Sequence, residues 1–289
     1  MNCLICKIRR ERPEGINFLN DTCLMNHRLT LFLILSLFLY LNSYSQAKVK
    51  VSYNYLLYLP KDYSTCIKKY PLVIYLHGGS QKGNDLNKLK EYGLPYLVDK
   101  GQNFNFIIAS PQCPDNKYWS TDDWFDSLYS DLTTKYQIDT NRVYLTGISM
   151  GGYGTYIAAM DFPDKFAAIV PLCGGINDSD TLRVCNLSKI PIWTFHGTAD
   201  DNILISETER IVNRLKLCGG NIKFTRLKNE GHGIQYLYEK EPQIYKWMLK
   251  HKKNSRQQIS KAGNVSEAKY SAENLYNKSK EKHLTKLTP

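Results

Sequence analysis

The sequence predicts an α/β fold: a mostly parallel, doubly wound sheet with helices on both faces. Three observations carry this. Short, continuous runs of β-branched and aromatic residues recur through the middle of the chain, segments of helical period fall between them, and Gly-containing turns follow the runs. Continuous apolar runs suit strands buried on both faces of a parallel sheet. Strands alternating with helices, joined by right-handed crossovers, produce the doubly wound arrangement.

Taken in order, Val49–Leu59 reads as a lead-in antiparallel strand or hairpin at the sheet edge. Pro71–Leu76, Phe104–Ala109, Val143–Thr146, Phe166–Leu172 and Pro191–Phe195 are the buried strands, each bounded by Gly, Pro or polar residues. Ile222–Leu227 alternates apolar and polar residues and suits a less covered strand. Between them, Asp123–Tyr136 places Trp124, Leu128 and Leu132 four apart. A helix over Tyr153–Met160 follows a Gly-rich turn, and Glu207–Leu217 puts Ile211 and Leu215 on one face. Pro242–Leu249 opens with Pro in a first helical turn, where its missing N–H costs nothing.

The chain has 289 residues, 43% of them hydrophobic and 22% charged, enough for one large core. Its net charge is +11, but the excess lies at the ends. Nine Lys/Arg against three Asp/Glu occur from His251 onward, and five against three through Ala47, leaving +3 for the stretch between. With no nucleic-acid motif beside it, that charge does not indicate a nucleic-acid partner. Leu29–Leu41 is an apolar run of 13 residues, short for a membrane span and right for the h-region of a signal peptide. The expected organisation is a leader at 1–47, a catalytic domain at 48–250 and a basic, disordered tail at 251–289, with no stable membrane insertion after cleavage. An uncleaved leader anchoring a polymer-binding surface protein is the competing organisation. Of eight cysteines, five lie beyond the leader, and Cys173 with Cys185, bracketing a short loop, is the expected disulfide. No cysteine beyond the leader has zinc-ligand spacing, and neither a metal nor an organic cofactor is expected.

In open α/β sheets, ligands bind at the carboxyl ends of the strands. After Val143–Thr146 stands Gly147-Ile148-Ser149-Met150-Gly151, a G-x-S-x-G between a predicted strand and a predicted helix. The sharp turn that exposes the Ser hydroxyl crowds its neighbours, and glycine removes the Cβ clash. Ser149 is the candidate nucleophile, and the N–H of Met150, at the helix start, is one candidate oxyanion donor. His77-Gly78-Gly79 follows Pro71–Leu76, and the N–H of Gly79 is the second. After Pro191–Phe195 come His196-Gly197-Thr198-Ala199-Asp200-Asp201, where the acid is expected; Asp200 fits and Asp201 competes. After Ile222–Leu227 comes Gly231-His232-Gly233, and His232 is the candidate base. His77 and His196 are read as structural, His77 bracing its loop. Trp119 and Tyr153 are candidate substrate-binding aromatics, with Tyr118 beside them.

These motifs together resemble secreted α/β-hydrolase esterases of the predicted-peptidase or phospholipase/carboxylesterase-like kind, relatives of polyhydroxybutyrate depolymerases and feruloyl esterases. The matching stretches are Asp139–Gly154 around Ser149, His77–Gly79, Pro111-Gln112-Cys113-Pro114, the His-Gly-x-x-Asp of His196–Asp200, and Gly231-His232, spread over Tyr70–Leu249. The resemblance implies Asp200 rather than Asp201 as the acid. Two positions depart from it: Ile203-Leu204 stands where a Val-Pro pair is usual, and Tyr156 where Trp is frequent.

The expected activity is cleavage of small-molecule or polymer-linked carboxylic esters, carbohydrate-linked or phenolic, through an acyl-enzyme on Ser149. Two alternatives stand beside it. One is a serine peptidase of the prolyl-oligopeptidase type, whose large second domain is not expected here. The other is a catalytically inactive binding module, which has no need of Ser149, Asp200 and His232 together.

Overall fold

The structure, a computed structural model, describes residues 50–65 and 68–253. The apolar runs form a seven-stranded sheet: β1 (Tyr55–Tyr58), β2 (Tyr70–Leu76), β3 (Ile107–Pro111), β4 (Ile138–Ile148), β5 (Ala168–Leu172), β6 (Ile192–Gly197) and β7 (Ile222–Leu227). Their spatial order is β1-β3-β2-β4-β5-β6-β7. Only β1 runs antiparallel, pairing Tyr55 with Pro111; every other neighbour is parallel. The two edges are β1 and β7, the strands that the sequence reads as lead-in and as less covered.

Because side chains alternate across a strand, β2 serves two cores. Leu72, Ile74 and Leu76 face α2 (Trp124–Lys135), α3 (Met150–Asp161) and α4 (Ile205–Leu217) through Leu128, Tyr156 and Ile211. Val73 and Tyr75 face α1 (Gly93–Asp99), α5 (Leu237–Lys240) and α6 (Gln243–Lys250) through Leu94, Tyr238 and Met248. Every residue of β2 is buried, whereas β7 alternates intermediate and exposed positions on the outside of the sheet. Some polar groups inside this packing are paired, Thr146 Oγ1 donating to the Val170 carbonyl and the hydroxyls of Tyr156 and Thr194 meeting at 3.1 Å, whereas the Tyr75 hydroxyl is buried without a hydrogen-bond partner among the described residues.

Several boundaries differ from the sequence reading. Strand β4 reaches back to Ile138, because β2 pairs Tyr70 with Ile138 before a register shift. Phe104 lies outside β3 and Phe106 precedes it; their rings pack against Tyr245 of α6. The helix Gly93–Asp99 has no counterpart in the sequence reading, which finds too few turns there to show a period. The expected Cys173–Cys185 disulfide is not formed. Cys185 bonds Cys218 with Cα atoms 5.4 Å apart, while Cys173 is a buried free thiol at the end of β5. The loop after β5 carries Cys185 away from the sheet and onto the carboxyl end of α4, which is where Cys218 sits. Backbone contacts continue past the expected domain end at 250, since Lys253 N donates to the Asn141 carbonyl at 3.0 Å. Leu29–Leu41, Cys66 and the tail from 254 onward lie outside the described residues. Among the described residues, no helix is long and apolar enough to cross a membrane.

Candidate functional site

Pairing of β2 with β4, Leu76 opposite Gly147, sets His77-Gly78 beside Ile148-Ser149. Ser149 itself takes φ +56°, ψ −120°, a left-handed conformation that costs a non-Gly residue of order 1–3 kcal/mol. The flanking glycines allow it. A Cβ on Gly151 would overlap the Leu76 carbonyl oxygen, and one on Gly147 would meet the Gly151 carbonyl. The turn thus lifts the Ser149 hydroxyl off the sheet edge at the amino end of α3.

Two further strand ends converge on that hydroxyl. His232, in the loop after β7, places Nε2 2.8 Å from Ser149 Oγ and Nδ1 2.8 Å from Asp200 Oδ2. The carboxylate only accepts, so Nδ1 carries the proton and Nε2 presents its lone pair to the Ser149 hydroxyl. Asp200 follows β6 and is fully buried as a side chain. Its Oδ1 accepts from the amides of Asn202 at 3.0 Å and Ile203 at 2.9 Å. Burial alone would raise its carboxyl. The Ile203 amide, the His232 imidazole and the Asn202 amide outweigh burial and hold it below the ordinary value. The loops that carry Asp200 and His232 are tied together, Ala199 N donating to the Glu230 carbonyl at 2.9 Å. Gly197 permits this approach, since a Cβ there would collide with the backbone of Glu230 and Gly231.

The two candidate oxyanion donors follow the neighbouring strands β4 and β2. Met150 is the first residue of α3, where an amide has no carbonyl one turn back to bond. Gly79 opens a 3-10 turn immediately after the end of β2. Gly78 stands between them, and a Cβ on it would lie 3.7 Å from Ser149 Cβ. His77 is buried and fully paired. Its Nδ1 donates to the Gly78 carbonyl at 2.6 Å, its Nε2 accepts from Cys113 N at 3.0 Å, and its carbonyl receives Trp119 Nε1 at 3.2 Å. Burial pushes its imidazole down to about 4, so the ring is neutral and holds the Gly78-Gly79 turn in place. His196 is buried in the core beneath Asp200, away from Ser149.

A cavity of about 440 Å³ opens from Ser149 along the face of α3, lined by Met150, Tyr153, Ile157, Trp119 and Tyr118. Tyr118 is 61% exposed at the rim, with Lys82 Nζ 4.6 Å from its ring centroid. Trp119 forms a wall: it is 2% exposed, hydrogen-bonded to His77 and packed on Gly154. Ile157 and Ile203 line the cavity without being read as site residues in the sequence, where Ile203 stands out only as a departure from the esterase pattern. Ile157 stands four residues after Tyr153, so extending the helical period from Ser149 would have found it. Ile203 belongs to an irregular loop with no such signal.

The sequence profile of the prolyl oligopeptidase family matches residues 99–184 and 175–255, together just over half of the chain. The chain belongs to the prolyl oligopeptidase family. Membership accounts for the sheet order, the turn at Ser149 and the carboxyl-edge loops together, and the fold is the α/β-hydrolase fold. Among solved structures, a thermostable esterase superposes with a TM-score of 0.57 and 31% identity, over 69% of this chain and 59% of that one. A bifunctional acetylxylan esterase/xylanase of Neocallimastix patriciarum is 39% identical over 149 residues, 48% of this chain and 20% of that protein. A poly(3-hydroxyalkanoate) depolymerase C of Paucimonas lemoignei is 32% identical over 95 residues, 33% of this chain and 19% of that protein. The chain therefore spans about one fifth of the length of these two curated relatives. This member of the prolyl oligopeptidase family is esterase-like in sequence.

Proposed function

We propose that the chain is a serine hydrolase that cleaves carboxylic esters through an acyl-enzyme on Ser149. The observation that carries the reading is the pair of 2.8 Å contacts linking Ser149 Oγ, His232 and Asp200. His232 Nε2 takes the hydroxyl proton as Ser149 attacks the ester carbonyl. The negative charge that develops on the carbonyl oxygen is received by the N–H groups of Gly79 and Met150. Such a donor contributes roughly a hundred- to thousand-fold in rate. The imidazolium then gives its proton to the departing alcohol, and Asp200 stabilises that charged form throughout. Water, activated by the same nitrogen, releases the acid from Ser149. None of these steps calls on a metal or an organic cofactor.

The cavity bears on substrate. Its walls are aromatic and aliphatic, which suits a phenolic or short aliphatic acyl group packed against Tyr153 and Ile157. Its rim, with Tyr118 exposed, leaves the alcohol side open to a sugar or polymer. The esterase-like relatives, one an acetylxylan esterase and one a poly(3-hydroxyalkanoate) depolymerase, fit polymer-linked esters as the substrate class. Export is part of the proposal. The apolar run Leu29–Leu41 is read as a cleaved signal h-region, the chain from residue 48 through the 251–253 contacts as the catalytic domain and the rest to 289 as its basic tail; intact mass of the exported protein tests the cleavage.

The test of the activity compares p-nitrophenyl acetate and a feruloyl ester, with wild type and Ser149→Ala. Wild type is expected to release both acids and Ser149→Ala to lose activity by at least ~1,000-fold. A wild type that is inactive on both and unlabelled at Ser149 by a fluorophosphonate would overturn the enzyme reading and favour a binding module. The family match itself favours a second reading, a serine peptidase. A peptide p-nitroanilide turned over faster than the esters would select it.

A further inference from the structure

The carboxylate of Asp200 has a second imidazole on it. His196 Nε2 lies 3.2 Å from Asp200 Oδ2, the same oxygen that receives His232 Nδ1 at 2.8 Å. Both side chains of the His196–Asp200 pair are completely buried. Nε2 also lies 2.8 Å from the Ile203 carbonyl. Both neighbours of Nε2 are acceptors, so this nitrogen carries a proton; the N–H is aimed at the Ile203 carbonyl, and its positive end lies beside Asp200 Oδ2. On the other side of the ring, Nδ1 meets Thr208 Oγ1 at 2.8 Å, and that hydroxyl lies 2.8 Å from the Gly174 carbonyl. With Nε2 protonated, a neutral ring has a bare Nδ1 that needs the Thr208 proton, and that proton bonds the ring only while it leaves the Gly174 carbonyl. Ile203 closes the loop: its amide donates to Asp200 Oδ1, its carbonyl accepts from His196, and its side chain lines the cavity.

We infer that His196 is a positioning residue for the acid of the proposed triad, its buried Nε2–H dipole set 3.2 Å from the Asp200 oxygen that holds His232 and so weakening the hold of that carboxylate on the His232 imidazolium. The inference rests on the reading of Ser149, His232 and Asp200 given above. The positive end of an N–H beside a carboxylate oxygen lowers the negative potential which that oxygen presents to its hydrogen-bonded partner. Removing that dipole strengthens the Asp200–His232 bond and favours the protonated form of His232. The unprotonated form is the one that accepts the Ser149 proton, so the rise of kcat/KM with pH then occurs at higher pH.

The charged and titratable groups around this pair leave the effect to His196. The Cys173 thiol, its Sγ 3.7 Å from the His232 carbonyl, is pushed up to about 12 by burial and stays uncharged. Arg226, opposite His196 in the β6–β7 register, is exposed and paired with Glu209 at 3.0 Å. Asp201 and Glu230 are exposed to solvent.

The experiment is the pH dependence of kcat/KM for p-nitrophenyl acetate in wild type, His196→Leu and His196→Gln, with melting curves for each. The Leu variant is expected to move the acid limb up by about half a pH unit, and the Gln variant, whose amide N–H can reach Asp200, to restore it. Limbs that coincide in folded Leu, Gln and wild-type proteins, with only stability altered, overturn the inference while leaving the esterase reading intact. A wild type without Ser149-dependent turnover fails the esterase reading instead. ¹⁵N-histidine NMR of the wild type adds a test that needs no variant: a His196 Nε2 that is unprotonated in the range from about pH 6 to 8 overturns the inference.

Discussion

At the scale of the residue, the sharpest pH response belongs to His77. Burial lowers its imidazole from 6.5 to about 4, a backbone carbonyl opposing the shift and Lys82 adding to it. The folded chain therefore holds the ring neutral where the unfolded chain protonates it. The stabilisation is complete above the unfolded value of 6.5 and is lost as pH falls from there toward 4. The gap is worth about 3 kcal/mol. Urea unfolding at pH 7 and pH 4.5 is expected to show most of this loss in wild type and a flatter pH dependence in His77→Gln, whatever that variant's baseline stability. Equal slopes in the two proteins would count against it. The residues of the site were legible because each stands immediately after an apolar run, and the strand ends of a parallel sheet gather there. Ser149, Asp200 and His232 came from three motifs that gave position without geometry. The second imidazole on Asp200 was not legible. His196 lies in the same motif, but only the fold back of the Asp200–Ile203 turn brings its Nε2 to the carboxylate. Cys173 was misjudged for a related reason, since a short sequence interval between cysteines says nothing of which direction the intervening loop takes.

At the scale of the element, the junction of β4 and α3 is set by backbone contact, and two glycines in it should respond differently. In Gly151→Ala the new methyl meets the Leu76 carbonyl of a central, fully buried strand. Neither backbone can retreat without breaking ladder bonds, so a loss of about 3 kcal/mol or more and collapse of activity are expected. In Gly154→Ala the methyl meets the Trp119 side chain, 2.6 Å from its Cβ and Cγ. Alanine favours the helix by roughly 1 kcal/mol over glycine, which offsets part of the crowding. Because Cβ and Cγ are the root of a buried, hydrogen-bonded ring, a net loss of about 1–2 kcal/mol is expected, while Trp119 is pushed toward the cavity and KM for the feruloyl ester rises several-fold. Melting curves with kcat and KM for both variants decide the matter; a Gly151→Ala protein as stable as wild type would refute the first expectation. Strand and helix existence was legible in the periodicities, and the boundaries less so. The stretch Ile138–Arg142 joins β4 only because Ile138 finds Tyr70 across the sheet, a pairing no local pattern carries. The seven-residue helix Gly93–Asp99 begins with Gly at φ +80° and has Pro at its third position, which in sequence reads as a turn.

At the scale of the whole molecule, one covalent tie joins parts that the sheet holds only through packing. Cys185 lies in a 3-10 turn between β5 and β6, and Cys218 caps the carboxyl end of α4, 33 residues later. Between them the chain builds β6, the Asp200 turn and α4, including Asp200, His196 and Thr208. Closing a loop of that length removes unfolded-state entropy worth about 3–4 kcal/mol. With a core of 30 and 21 buried members on the two sheet faces, the chain is expected to fold without the bond. The bond instead raises the temperature at which the acid loop and α4 part from the sheet. Reduction, or Cys185→Ala with Cys218→Ala, is expected to lower Tm by roughly 10 °C for a domain of this size. Hydrolysis of p-nitrophenyl acetate at 25 °C should change less than two-fold, because the Asp200–His232 geometry is fixed by hydrogen bonds on β6 and β7 rather than by the bridge. A Tm that does not move on reduction would mean that the packing of α4 through Ile211 and Leu215 already sets the limit. A Tm fall accompanied by loss of activity at 25 °C would place the bridge in the mechanical support of the acid loop itself, since Thr208 and Cys218 are carried by the same helix.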